Sequence, residues 1–77
     1  MYFRQYGSNE ATLKEWSRQL NIVTKGTYPL YGSVENTLNH WRDKLNTNLE
    51  TNTFGISNNA DSTIYEWQNK LNGIYNQ

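Results

Sequence analysis

The sequence predicts a small all-α fold of three short helices, and three observations lead to this prediction. A stretch of fourteen residues occurs three times without an internal gap, with the pattern (S/N)-x-(E/D)-x-T-(L/I)-x-x-W-x-x-(K/Q)-L-N. In each stretch an apolar residue stands three positions before the Trp and a Leu four positions after it, which places all three on one face of an α-helix. Each stretch also begins with Ser or Asn, which are favoured N-terminal caps.

The first helix is predicted over residues 9–21, the second over 34–47 and the third over 60–75. The predicted caps are Ser8, Ser33 and Asn59. An acidic residue follows each cap within the first turn, where a negative charge meets the positive end of the helix dipole. Each stretch closes with Asn, which tolerates the left-handed conformation that ends many helices.

The three stretches define internal repeats of about 25 residues in a single domain, 1–77, and the repeats cover residues 1–21, 27–46 and 52–72. An extended connection of about twelve residues reaches about 40 Å, roughly twice the length of each helix. Each helix can therefore start again in the same direction. We expect a compact bundle with a pseudo-threefold or solenoid-like arrangement, and an ordinary up-down-up bundle is the alternative. Because so short a chain buries little surface, association into a homo-oligomer is also expected.

The apolar stripes predict the core. Each stripe places one Trp between two aliphatic side chains, and a buried Trp removes about 150–250 Å² from water. The predicted core residues are Leu13, Trp16, Leu20, Leu38, Trp41, Leu45, Ile64, Trp67 and Leu71. The alternative is that the Trp rings are stacking platforms for sugars or bases.

Two further sets of residues are candidate ligand-binding positions. Aromatic residues precede the helices, three of them directly before a Gly, and such rings can seat a sugar face or an apolar side chain of a partner. Thr recurs four residues before each Trp and could present a hydroxyl. The candidates are Tyr6, Tyr28, Tyr31, Phe54, Thr12, Thr37 and Thr63. The alternatives are that the rings form hydrophobic staples, which are apolar contacts across the N-caps, and that each Thr hydroxyl bonds back to the preceding turn.

Composition argues against several functional classes. The absence of Cys excludes disulfides and thiolate metal sites, and a single His cannot build a His-rich one. No nucleophile, base or acid pair forms a catalytic motif, so we expect a non-enzyme with no catalytic residues, no metal and no cofactor. Seven basic and seven acidic residues give a net charge of zero, which disfavours a nucleic-acid partner. No apolar run approaches the ~20 residues of a membrane span.

The leading functional hypothesis is a non-catalytic binding module with two or three equivalent sites, because repetition of a unit repeats its surface and tethered sites gain avidity. Twelve Asn residues and 14% aromatics on a neutral chain suit a hydroxyl-rich ligand. We expect a cell-surface or cell-wall glycan, as for the attachment domain of a lytic or phage-associated protein. The alternative is a protein partner, as for a virion assembly component or an inhibitor. A third hypothesis is a single-stranded nucleic-acid binder that uses aromatic stacking.

Overall fold

A computed structural model describes residues 1–24 and 26–75 of the chain. These residues form three α-helices and no strand, so the predicted all-α class with three helices is confirmed. The helices are α1 (Asn9–Val23), α2 (Val34–Asn48) and α3 (Ala60–Tyr75). All three begin at the residue that the sequence predicts.

Side-chain caps explain these starting points. Ser8 and Ser33 each accept, through the hydroxyl oxygen, a backbone N–H three residues later at 3.1 Å. Asn59 accepts the equivalent N–H through its amide oxygen at 2.8 Å. Each cap satisfies one of the N–H groups that have no partner within the helix.

The C-terminal ends of the first two helices lie slightly beyond the predicted ones, because neither Gly nor Pro interrupts the chain there. The α1 helix reaches Val23 and stops at Thr24, whose backbone N–H and hydroxyl both donate to the carbonyl of Leu20, at 2.9 and 2.7 Å. The α2 helix reaches Asn48 and ends in a turn in which Glu50 has a φ of 52°. Gly or Asn adopts this left-handed conformation at lower cost than Glu.

The core lies where the three helices meet, and each helix contacts the other two. All nine predicted core residues are buried, and the three Trp side chains are fully excluded from solvent. Three aromatic residues from outside the helices, Phe3, Tyr28 and Phe54, complete the core. The Cα trace measures 25 × 22 × 20 Å, so each helix, about 22 Å long or slightly more, spans the whole molecule.

A non-helical lead-in segment packs along each helix. The lead-in segments comprise residues 3–8, 28–33 and 54–59. The indole N–H of Trp16 donates to the carbonyl of Arg4 at 2.9 Å, and those of Trp41 and Trp67 donate to the carbonyls twelve residues before them at 2.9 and 3.0 Å. The first aromatic ring of each segment meets the Trp edge-on, with centroids 5.6–5.7 Å apart. Each segment thus covers a Trp and supplies its hydrogen-bond acceptor.

The Asn at the end of each repeated stretch holds the lead-in segment of another stretch. Asn21 accepts the backbone N–H of Tyr28 at 2.7 Å, and Asn46 both accepts from and donates to the backbone of Phe54 at 3.0 Å. Asn72, in the last helix, makes the same two bonds to the backbone of Phe3 at 2.6 and 2.7 Å. The first lead-in segment is therefore fastened to the last helix.

The three helices begin at the same end of the molecule. Their first residues, Asn9, Val34 and Ala60, line one cleft. The amide of Asn9 also donates to the carboxylate of Asp61 at 2.7 Å, which joins the starts of α1 and α3. The starts of the three helices therefore lie close together around this cleft.

Candidate functional site

The three threonines predicted to bind a ligand lie between the lead-in segments and their helices. Thr12, Thr37 and Thr63 are at most 2% exposed. Each hydroxyl donates to the carbonyl four residues earlier at 2.8–2.9 Å and accepts the backbone N–H six residues earlier at 2.9 Å. These bonds set the angle at which each lead-in segment enters its helix, and they turn the hydroxyls away from solvent.

Two of the aromatic candidates, Tyr28 and Phe54, are part of the core. They are 0% and 2% exposed and pack against Trp41 and Trp67. The hydroxyl of Tyr28 accepts a hydrogen bond from the amide of Asn48 at 2.7 Å. Neither ring presents a face to solvent.

Phe54 occupies a different position from the one that the sequence comparison indicates. Alignment of the three stretches of this chain pairs Phe54 with Tyr6 and Tyr31, because Gly follows all three. In the structure Phe54 takes the place of Phe3 and Tyr28 instead, edge-on against a Trp. The signal that identifies this equivalence is a constant spacing, since thirteen residues separate each of these rings from its Trp.

Tyr6 lies at the surface before α1. It is 38% exposed, and the guanidinium of Arg4 lies over its ring, 5.0 Å from the centroid. The residue that stands ten positions before Trp67, as Tyr6 stands before Trp16, is Ser57. Its backbone N–H donates to Thr63, and its hydroxyl donates to Glu66 at 2.7 Å. The ring of Tyr6 is therefore partly covered by the guanidinium of Arg4, whereas Ser57 provides no ring.

Tyr31, before α2, is half-buried and is held by a second ring. It stacks on the imidazole of His40 with centroids 3.9 Å apart and an angle of 11° between the planes. His40 is fixed in turn, because its Nδ1 donates to the carbonyl of Asn36 at 2.9 Å. The backbone N–H of Tyr31 donates to Thr37 at 2.9 Å. The ring and the backbone of Tyr31 are both positioned by the fold.

A cleft of about 390 Å³ opens at the end of the molecule where the helices begin. Volumes of about 300–1,000 Å³ are typical of small-molecule sites. The lining includes apolar, aromatic and polar side chains, notably Leu30, Val34, Ala60, Tyr31, Asn9, Ser33, Glu10 and Glu35. We call this feature the N-terminal cleft.

The N-terminal cleft contains two of the seven predicted ligand-binding residues, Tyr31 and the buried Thr37. Leu30, Asn9 and Glu35 also line it, although no sequence pattern predicts them as site residues. Those residues come from separate stretches of the chain, and no periodic pattern links them. Only the common starting point of the helices brings them together.

One buried polar atom of the described residues lacks a hydrogen-bond partner and lies outside this cleft. The side-chain nitrogen of Gln19 donates to the carbonyl of Tyr2 at 2.9 Å, whereas its oxygen is buried without a donor. Three residues after the other two Trp side chains the sequence has Lys, which carries donors only.

The described residues contain no group of His, Asp or Glu side chains arranged to hold a metal ion. None of the helices found there combines the length and the apolar composition that a membrane crossing requires. Comparison of the chain with protein-family models, with curated proteins and with solved structures finds no match.

Proposed function

We propose that this protein is a non-catalytic binding module that recognises a hydroxyl-rich glycan of a cell surface or cell wall in its N-terminal cleft. One observation carries the proposal: Tyr31, held by its stack on His40, lines an open cleft together with the polar side chains of Asn9, Ser33 and Glu35. An attachment domain of a lytic or phage-associated protein would need such a site.

This combination suits a sugar because a sugar ring has an apolar C–H face and a polar edge. The face can pack on Tyr31, and an aromatic contact of this kind contributes about 0.5–1.5 kcal/mol. The hydroxyls of the edge can donate to the carboxylate of Glu35 and accept from the amide of Asn9. Because Tyr31 is already fixed, binding needs little ordering of the protein.

We also infer that the three helical units are internal repeats related by a pseudo-threefold axis. Support comes from contacts that occur once in each unit: the cap, the bonds of the Thr hydroxyl, the bond of the Trp indole and the edge-on aromatic pair. The bonds of Asn72 to Phe3 repeat, without a covalent connection, the ones that Asn46 makes to Phe54.

Differences between the three units favour one ligand site instead of the two or three equivalent sites that the sequence predicts. Of the three equivalent positions before the helices, only Tyr31 offers a ring in the cleft. Tyr6 lies under Arg4, and Ser57 has no ring. We therefore expect a stoichiometry of about one ligand per chain. A single chain then gains no avidity, because avidity requires more than one competent site.

A protein partner is the second candidate, and one observation favours it. Leu30 lines the cleft and is 50% exposed, and Ile56, at the corresponding position of the third lead-in segment, is 44% exposed. A partner that inserts an apolar side chain beside Leu30 would use the same cleft. A nucleic-acid ligand is not proposed, because the carboxylates of Glu10 and Glu35 would repel its phosphates.

A glycan array followed by calorimetric titration of the best glycan tests the proposal. Tyr31→Ala should weaken binding about 2- to 10-fold through the lost stacking. Tyr65→Ala is the matched control, because Tyr65 is 59% exposed on α3 and does not line the cleft. Circular dichroism checks that both variants keep their helices.

Equal loss of affinity in both variants, or an array without binding, would contradict a glycan site in the cleft. Light scattering on the same samples distinguishes the second candidate. A stable oligomer or a tight protein complex that Leu30→Ser abolishes, in the absence of glycan binding, would favour the protein partner.

A further inference from the structure

Part of the lining of the N-terminal cleft is apolar and does not match a sugar that carries hydroxyls alone. Beside Tyr31, the cleft is lined by Leu13, Leu30, Val34 and Ala60. Leu13 belongs to the core, Val34 and Ala60 pack half-buried against the core, and Leu30 is 50% exposed. A hydroxyl placed against these side chains would lose hydrogen bonds to water, whereas a methyl group would gain by leaving water. The ligand should therefore carry an apolar group beside its polar edge.

Two polar side chains of the same cleft match an amide. The side-chain nitrogen of Asn9 donates to Asp61 at 2.7 Å, and its side-chain oxygen has no donor among the described residues. The hydroxyl of Ser33 accepts the backbone N–H of Asn36 at 3.1 Å, and its proton has no acceptor in that part of the chain. The cleft therefore offers one acceptor and one donor, each on a side chain held by another bond. An amide supplies the complementary N–H and carbonyl.

We infer that the glycan bound in the cleft is N-acylated, with its N-acetyl group beside Leu30 and its ring face on Tyr31. This inference rests on the proposed function and adds the chemical class of the ligand. The acyl methyl group packs against Leu30 and Val34. The amide N–H donates to the side-chain oxygen of Asn9, and the amide carbonyl accepts from the hydroxyl of Ser33. A sugar that carries hydroxyls alone lacks the methyl group, and a sugar with a free amine lacks the methyl group and the carbonyl.

The expected selectivity follows from these contacts. Removal of one methyl group from water should strengthen binding about 4-fold. Two hydrogen bonds at a partly exposed site, where water competes, should add about 2- to 10-fold. Leu30 is the side chain on which the contribution of the methyl group depends most, because it is the most exposed apolar residue of the lining.

The third lead-in segment provides a matched control for Leu30. Ile56 stands eleven residues before Trp67, as Leu30 stands before Trp41. Ile56 is 44% exposed, which is close to the 50% of Leu30, but it does not line the cleft. Leu30→Ser and Ile56→Ser therefore make a similar change at corresponding positions, and only the first changes the proposed acyl contact.

The test uses the full chain and three β-1,4-linked tetramers of equal length: one of N-acetylglucosamine, one of N-formylglucosamine and one of glucose. The formyl tetramer keeps the amide and lacks only the methyl group. Calorimetry measures the affinities of the unchanged protein, of Leu30→Ser and Ile56→Ser, and of a second pair, Ser33→Ala and Ser8→Ala. Both Ser substitutions remove a helix cap, but Ser8 does not line the cleft. Circular dichroism checks that every variant keeps its helices.

We expect the affinity to fall in the order N-acetylglucosamine, N-formylglucosamine, glucose. Leu30→Ser should abolish the advantage of the acetyl over the formyl tetramer, and Ile56→Ser should leave it at about 4-fold. Ser33→Ala should weaken binding of both acylated tetramers about 2- to 5-fold more than Ser8→Ala does. An acetyl tetramer that binds no more tightly than the formyl one, or equal effects within either pair of variants, would overturn the acyl inference and leave the glycan site standing. Failure of all three tetramers to bind would overturn both.

Discussion

Replacement of Asn72 by Ala should release the first lead-in segment and destabilise the protein. Asn72 makes two hydrogen bonds to the backbone of Phe3, at 2.6 and 2.7 Å. Each bond contributes about 0.5–1.5 kcal/mol to stability, and a buried group that loses its partner costs about 1–3 kcal/mol. The Phe3 side chain is fully buried against Trp16. We therefore expect the free energy of unfolding to fall by about 2–4 kcal/mol.

This loss is a large fraction of the total. A chain of 77 residues has a free energy of unfolding of about 4–12 kcal/mol at ordinary values per residue. For a domain of this size, a loss of 2–4 kcal/mol corresponds to a Tm lowered by about 10–25 °C. The Trp16 indole also loses its acceptor, the carbonyl of Arg4, if the segment detaches.

Urea unfolding monitored by Trp fluorescence measures the loss, and amide hydrogen exchange at Phe3 reports detachment of the segment. Asn69→Ala is the matched control, because Asn69 is exposed on the same helix and the substitution gains the same helix propensity. Asn46→Ala removes the equivalent bonds from Phe54, whose segment is retained by chain on both sides. Asn46→Ala should therefore destabilise the protein, but the amide of Phe54 should exchange more slowly than the amide of Phe3 does in Asn72→Ala.

A Tm for Asn72→Ala within about 2 °C of the Asn69→Ala value, with the Phe3 amide still protected, would refute this reasoning. The side chain of Asn72 would then not be what fastens the segment. Burial of Phe3 alone would have to account for its position.

Three smaller changes test other features. Gln19→Lys removes the unpartnered buried oxygen and keeps a donor for the carbonyl of Tyr2, so urea unfolding should show a gain of about 1 kcal/mol; a loss would mean that desolvation of the ammonium group at this buried position outweighs removal of the oxygen. Glu50→Gly relieves the φ of 52° and should raise stability by about 1 kcal/mol, whereas an unchanged Tm would show no strain there. Burial raises the pKa of Tyr28, so the folded state disfavours the phenolate and stability should decline as the pH rises above about 10. Tyr28→Phe should make the free energy of unfolding decline less steeply in an alkaline unfolding series. At neutral pH it should cost about 1 kcal/mol, because the hydrogen bond from Asn48 is lost. An unchanged slope would mean that other groups cause the alkaline decline.

The helices were predictable because their signals are local. Ser8, Ser33 and Asn59 cap within three residues of their own positions, and the spacing of each Trp to its aliphatic neighbours is set by one helix alone. The ends were less accurate, because Val23 continues α1 where no breaker occurs and only the bonds of Thr24 to the preceding turn end it.

The candidate site was less predictable, because it depends on contacts between separate stretches. Tyr28 and Tyr31 are three residues apart and have the same side chain, yet one covers Trp41 and the other faces the cleft. The lead-in segments have no periodicity of their own, so nothing local distinguishes the two rings. The spacing of thirteen residues from ring to Trp is the sequence feature that separates them.

The bonds between Asn72 and Phe3, which join residues 69 positions apart, also affect how the protein emerges from the ribosome. Phe3 and Trp16 are synthesised early, but the groove that encloses Phe3 is finished only when the third helix has formed. Until the third helix has been made, Phe3 therefore lacks the hydrogen bonds that Asn72 supplies, and closure over so long a separation is slow compared with local helix formation. Until that closure the ring of Phe3 also lacks its contact with Tyr75 of the third helix.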